Sequence, residues 1–304
     1  MPQEGRSTQR TTLPRPPEVS AALRQASPAA SHHPASRAPK EFAMSTRLCL
    51  AFAISSSVLL ALPTRSPAAD APTATDKPAV LQSLEREGVS GLQPFETGSD
   101  LRGYAGFAGQ QPLAVYLSRD GGAIVGSRIG ADGKPLDVER VKALVEKPMG
   151  EAMWSRLASS GWVQDGKIEA PRVVFMFSDP NCPYCNRFWE IARPWVAAGK
   201  VQLRHVVVGV IRADSATKAA AILEAADASA ALRRNERQFA QGGIKPARNV
   251  SKPVAQKLDA NQRLMAELGF RGTPGIVYRD AQGIVRRASG MPPDDALAAI
   301  LGPR

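Results

Sequence analysis

Cys182 and Cys185 stand in the stretch Phe175-Met-Phe-Ser-Asp-Pro-Asn-Cys-Pro-Tyr-Cys-Asn-Arg-Phe-Trp189, where an apolar run gives way to a short polar turn and then to a helical pattern. The spacing places Cys182 in the first turn of that helix, near its free backbone N–H groups and positive dipole end. Cys185 then lies one turn deeper on the same side, covered by its own turn, so Cys182 is expected to be the exposed nucleophile. Anionic sulfur is favoured there: a thiol that ordinarily titrates near about 8.5 falls to roughly 3.5–7.5 in such surroundings. Thiolate is the form that attacks disulfides, so the pattern predicts thiol–disulfide exchange. Pro183 fits the first helical turn, which has no use for the missing N–H. Three other readings of the pair are a structural zinc half-site, an inert disulfide and two buried thiols. Zinc takes about four ligands. The chain offers no second cysteine pair, and its histidines are His32 and His33 in a polar leader and His205 in a predicted strand.

The elements that must position these sulfurs follow from the rest of the chain. At 304 residues, with 43% apolar and 22% charged residues, the composition is that of a soluble protein of about two domains. The formal charge of +11 is partly a leader effect: residues 69–304 hold 31 Lys/Arg against 25 Asp/Glu, a net of +6. That excess is spread along the chain without a basic aromatic motif, so nucleic acid is not an expected partner. Residues 1–43 are rich in Pro, Ser, Ala, Gln and Arg with no apolar period, and are expected to be disordered and upstream of the true start at Met44. Residues 44–69 read as a signal peptide, with Arg47, the apolar run Leu48 to Leu62 and the small residues of Ser66-Pro-Ala-Ala69; the alternative is an uncleaved anchor, against which the shortness of the apolar run argues. Cleavage there removes Cys49 and leaves two cysteines, both in the motif, and no stable membrane insertion.

Beyond it, a short helix from about Pro78 to Glu87 precedes a small β-rich module, in which Leu113–Leu117 and Ala123–Ser127 flank the turn Arg119-Asp-Gly-Gly122. The glycines from Gly103 to Gly109 do not follow the strand–turn–helix order of a phosphate loop and are read as loop packing. Helical spacing from Asp137 to Ser160 marks a linker bent at Pro148. Val173–Phe177 is a strand covered on both faces, and Val201–Val210 is a second strand. Residues 214–240 and about 251–268 form a helical insertion. The stretch Gly272-Thr-Pro-Gly-Ile-Val-Tyr-Arg279, a turn at Asp280–Gly283, the strand Ile284–Ala288 and a helix from about Asp294 close the chain.

That order is thioredoxin-like, and at this point the chain resembles the exported disulfide isomerases of Gram-negative bacteria, the DsbC/DsbG family. The residues that carry the resemblance are Asp179-Pro-Asn-Cys-Pro-Tyr-Cys-Asn-Arg-Phe-Trp189, Ala192-Arg-Pro-Trp-Val196, Gly199-Lys-Val-Gln-Leu203, Val208-Gly-Val-Ile211 and Thr273-Pro274. The inner pair Pro-Tyr separates it from the DsbC branch, where Gly-Tyr is usual. The resemblance implies an α+β chain: a small cystatin-like dimerisation domain (70–135), a helical linker (136–161) and a thioredoxin-like catalytic domain with a helical insertion (162–304). It implies a V-shaped homodimer with a shared cleft, a cis Pro274, and a Thr273 backbone lying beside the cysteines.

The function expected is that of a periplasmic thiol:disulfide interchange protein. Cys182 and Cys185 are its catalytic residues, and Pro183, Tyr184, Thr273 and Pro274 its substrate-binding residues. It needs no cofactor besides the Cys182–Cys185 redox pair. Its clients are unfolded or misoxidised exported proteins, and its electrons come from the membrane reductant DsbD. A dithiol oxidase that introduces disulfides and a mainly non-catalytic dimeric chaperone remain open alternatives.

Overall fold

A computed structural model describes residues 77–303; the expected leader, the signal peptide with Cys49 and the linker up to residue 76 lie outside them. After helix α1 (Ala79–Arg86), strands β1 (Val89–Phe95), β2 (Arg102–Ala108), β3 (Gln111–Leu117) and β4 (Ala123–Val125) form an antiparallel sheet in the order β1-β2-β3-β4. The glycine-rich run is therefore strand β2, which corrects the loop expected there. Gly103 and Gly106 lie under side chains of the neighbouring chain: a Cβ on Gly103 would meet Phe95 at 2.8 Å, and one on Gly106 would meet Leu92 at 2.8 Å. Glycine in a strand interior marks such a close approach.

Helix α2 (Val138–Ala158) is continuous through Pro148, the position expected to bend the linker. A proline in a helix leaves the carbonyl four residues back without its donor. Here Gln93 Nε2 supplies one, donating to Leu144 O at 2.7 Å. The N-terminal half of α2 packs Val141 and Val145 against Phe107 and Tyr116 of the first sheet. Its C-terminal half packs Met153 and Leu157 against the second.

The second sheet comprises β5 (Val163–Asp165), β6 (Arg172–Ser178), β7 (Val201–Val207), β8 (Gly275–Arg279) and β9 (Val285–Ser289), in the order β5-β7-β6-β8-β9. Only the β6–β7 pair is parallel. The apolar run of β6 has the period-two meaning expected of a doubly covered strand. Val174 and Met176 face helix α3 (Pro183–Ala197), while Phe175 and Phe177 face α2 and α6 (Lys252–Glu267). The insertion is two helices, α4 (Ser215–Leu223) and α5 (Ala228–Arg237), followed by α6. The short helix α7 (Leu297–Leu301) covers α3 with Ile300 and Leu301, and Trp195 Nε1 donates to Gly302 O at 2.9 Å. Phe188 on α3 is fully buried, a contribution of about 1.5–3 kcal/mol by area. The consequence is a rigid α3 whose N-terminal end emerges at the end of β6.

Candidate active site

Strand β6 ends at Ser178, and the turn Asp179-Pro-Asn delivers the chain into α3. Cys182 is the N-cap residue, with an extended backbone (φ −85°, ψ 110°), and Pro183 takes the first helical position. The sulfur thus occupies the place where a capping oxygen normally stands: Cys182 Sγ accepts from the Cys185 backbone N–H at 3.1 Å. Cys182 N donates to Asp179 O at 3.0 Å, which closes the turn.

Across the site, the Thr273–Pro274 peptide bond is cis. Cys182 Sγ lies 3.4 Å from Thr273 O. Thr273 Oγ1 is buried and makes no hydrogen bond among the described residues, and its hydroxyl lowers both sulfurs. The structure thus brings Cys182, Cys185 and Thr273 together, with Pro274 buried behind. Pro183 and Tyr184 are exposed, Tyr184 by 58%. Cys182 was expected to be exposed; both cysteines are 1% exposed, because the 273–274 segment covers the first as well as the second.

The two thiols are nonetheless unlike. Hydrogen bonding from the Cys185 side chain lowers Cys182 most; burial opposes it, and Thr273 with the N–H groups of residues 184 and 185 adds to it, so the thiol is lowered to about 7. Burial pushes the Cys185 thiol well above its ordinary value, and the neighbouring Cys182 adds to the rise. Near neutral pH the sulfur of the pair that ionises is therefore the one at the helix end.

Sequence reasoning missed the polar frame around the turn. The Asp179 carboxylate accepts from Asn181 N (2.8 Å), Val210 N (2.6 Å), Ile211 N (3.0 Å) and Ser215 Oγ (2.8 Å). Lys218 Nζ donates to Asn181 Oδ1 (2.8 Å) and pairs with Asp214 (3.1 Å). On the flank of α3, Asn186 donates to Glu236, while Trp189 Nε1 and Arg193 reach Asp165. Burial would raise the Asp165 carboxyl, but the neighbouring His205 and the Arg193 guanidinium together outweigh it and hold the group below the usual carboxylate range. His205 Nε2, 3.8 Å from Asp165, is too distant for a hydrogen bond. Asp179 and Asn181 belong to a motif visible in the sequence. Their partners on other elements do not.

A thioredoxin-like domain model matches residues 165–302. Thiol:disulfide interchange protein DsbG of Pseudomonas aeruginosa is 43% identical over 235 residues, covering 77% of this chain and 92% of that protein. The protein of the same name from Escherichia coli K12 is 36% identical over 230 residues, covering 75% and 93%. Among solved structures, Helicobacter pylori DsbG aligns over 66% of this chain and 98% of its own, at 18% identity and a TM-score of 0.36.

Proposed function

This chain belongs to the DsbG family of thiol:disulfide interchange proteins, and from that premise we propose that Cys182 is its attacking sulfur and Cys185 the resolving one. The chain is a thiol–disulfide oxidoreductase, a disulfide isomerase or reductase. In the first step the Cys182 thiolate attacks a client disulfide. The client S–S bond breaks, a Cys182–client bond forms, and the displaced client sulfur leaves as a thiolate that takes up a proton. Two exits follow. Attack by another client thiolate on the mixed disulfide releases Cys182 with no net electron transfer, which is isomerisation. Attack by deprotonated Cys185 on Cys182 releases the reduced client and leaves a Cys182–Cys185 disulfide. Two electrons and two protons from the membrane reductant DsbD then restore the dithiol. A client sulfenic acid enters by the same route, losing its oxygen as water when the mixed disulfide forms.

The observation that carries this reading is the split between the thiols, about 7 for Cys182 and well above the ordinary value for Cys185. A thiol near 7 matches the roughly 7 of thioredoxin rather than the roughly 3.5 of the oxidant DsbA, and so favours a reductant over a dithiol oxidase. A mainly non-catalytic chaperone has no use for such a split. In this reading an extended client segment pairs with the backbone at Thr273 beside Pro274, and Pro183 and Tyr184 flank the reacting sulfur.

The remaining proposals concern assembly and place. Ile124, Val125, Ile129 and Leu136 are each at least half exposed on and after the outer strand β4, and a second copy of the chain covers them. Residues 70–135 are then the dimerisation domain, 136–161 the linker and 162–304 the catalytic domain. The two catalytic domains face a cleft that holds unfolded or misoxidised exported proteins in the periplasm, reached through the cleaved signal peptide. Thiol alkylation of acid-quenched cells tests the direction of flow. The pair should be mostly reduced, and mostly oxidised when DsbD is absent; a pair oxidised in both strains would make the protein an oxidase.

A further inference from the structure

Three segments border Cys182, and each carries one exposed arginine. On α3, Arg187 follows Tyr184 by three residues and Pro183 by four, so it continues their exposed stripe down the helix. On the loop after β7, Arg212 follows the exposed residues Val210 (50%) and Ile211 (44%). That loop is fastened to the active-site turn, because Val210 N and Ile211 N donate to Asp179, whose own carbonyl accepts from Cys182 N. Arg271 precedes Thr273 by two residues, and Thr273 O lies 3.4 Å from Cys182 Sγ.

None of these three guanidinium groups makes an ion pair, hydrogen bond or ring contact with the described residues. The acids nearby are largely engaged. Asp179 is buried and fully hydrogen-bonded, and Asp214 pairs with Lys218. Glu190 lies one turn beyond Arg187 on α3, away from the sulfurs, and Asp294 shares a groove with Arg187 without an ion pair to it. The ground around the attacking sulfur is therefore basic at its edge and apolar within, at Tyr184, Val210 and Ile211. Such a surface concentrates partners of opposite charge and repels like charge.

Resting on the redox reading above, we infer that Arg187, Arg212 and Arg271 form a client-selecting rim. The preferred client carries Asp or Glu beside an apolar residue in the extended segment around its oxidised cysteine. Arginine serves this better than lysine, since its planar fork takes a carboxylate through two bonds.

The test uses the reduced full chain and two synthetic peptides, each with one cysteine in mixed disulfide with thionitrobenzoate. One peptide has Glu/Asp flanks and the other Lys flanks. Attack by Cys182 on the peptide sulfur releases thionitrobenzoate as a coloured thiolate, and each rate is divided by that with a neutral small thiol. The corrected acidic-to-basic ratio should be roughly tenfold at about 50 mM salt and fall toward one near 0.5 M, as exposed charges are screened. The variant R187Q/R212Q/R271Q should lose most of the preference. The variant R86Q/R102Q/K134Q, which removes the same charge from the first sheet and its surroundings, should keep it. Equal rates for both peptides, or an equal loss in both variants, would overturn the rim while leaving the redox site intact. If neither peptide reacts, the redox reading itself fails and takes the rim with it.

Discussion

Helix α3 meets two buried polar environments, one at its N-terminal end and one along its flank, and they stabilise negative charge in opposite ways. At the end no cation pairs with the sulfur among the described residues: Cys182 sulfur takes the place of a capping oxygen and is lowered to about 7 by hydrogen bonding from Cys185 and the first-turn N–H groups and by the Thr273 hydroxyl. Along the flank every helix N–H is already used within the helix, so a buried carboxylate must find a side chain. Asp165 finds Arg193 and is held ionised. Glu236 finds only amides, from Asn186 and Asn235, and burial raises it. A helix end thus supplies for nothing what its flank must obtain from a paired cation.

The largest effect expected is at the end. Cys182→Ser should slow reduction of a client disulfide by about a thousandfold or more, since a hydroxyl is not ionised near neutral pH. Cys185→Ser should instead accumulate mixed disulfides with clients, seen on non-reducing gels; the opposite pattern would reverse the roles of the sulfurs. On the flank, Arg193→Met leaves a buried, unpaired carboxylate and should cost about 3–5 kcal/mol in denaturant unfolding. It should leave the titration of Cys182 where it is; if the thiol moves with it, the two environments are not independent.

Smaller effects sharpen the contrast. Thr273→Val removes the hydroxyl that lowers both sulfurs, so Cys182 should titrate higher and react roughly twofold more slowly at pH 7, with the difference vanishing above pH 9. The two carboxylates should give opposite pH signatures. Asp165, lowered in the fold, contributes stability above its unfolded value of about 3.9, lost as the pH falls through its lower folded value. Glu236 is raised, so its contribution is full below about 4.3 and lost as the pH rises through the raised value, making it a cost at pH 7. Glu236→Gln should therefore raise Tm by about 2–4 °C at pH 7 and hardly at all at pH 4. A uniform shift at both would mean packing, not charge.

The end of the helix was legible in the sequence and its flank was not, for a physical reason. Cys182, Pro183 and Cys185 act through backbone groups within one turn of themselves, so spacing alone conveys their environment. Glu236, Asp165 and Lys218 act across elements separated by tens of residues, and only tertiary packing brings them to α3. The same division explains the corrections. The carbonyl that Pro148 leaves without a donor is that of Leu144, and its partner Gln93 lies 51 residues away. Gly103 and Gly106 look like a loop until Phe95 and Leu92 are seen lying over them. The expected exposure of Cys182 followed from its place at the helix end, and was overturned by a segment 91 residues away. The cis bond at Thr273–Pro274 was foreseen through family resemblance, not from spacing.

The central claim, that one sulfur of the pair is the thiolate and that the helix end makes it so, is tested most directly by alkylation of the reduced chain with iodoacetamide across pH 5–10, with the modified site identified by mass spectrometry. The rate should rise with a midpoint near 7 and the adduct should fall on Cys182, with Cys185 unmodified until the chain is unfolded. A midpoint near 9, or first modification at Cys185, would contradict it.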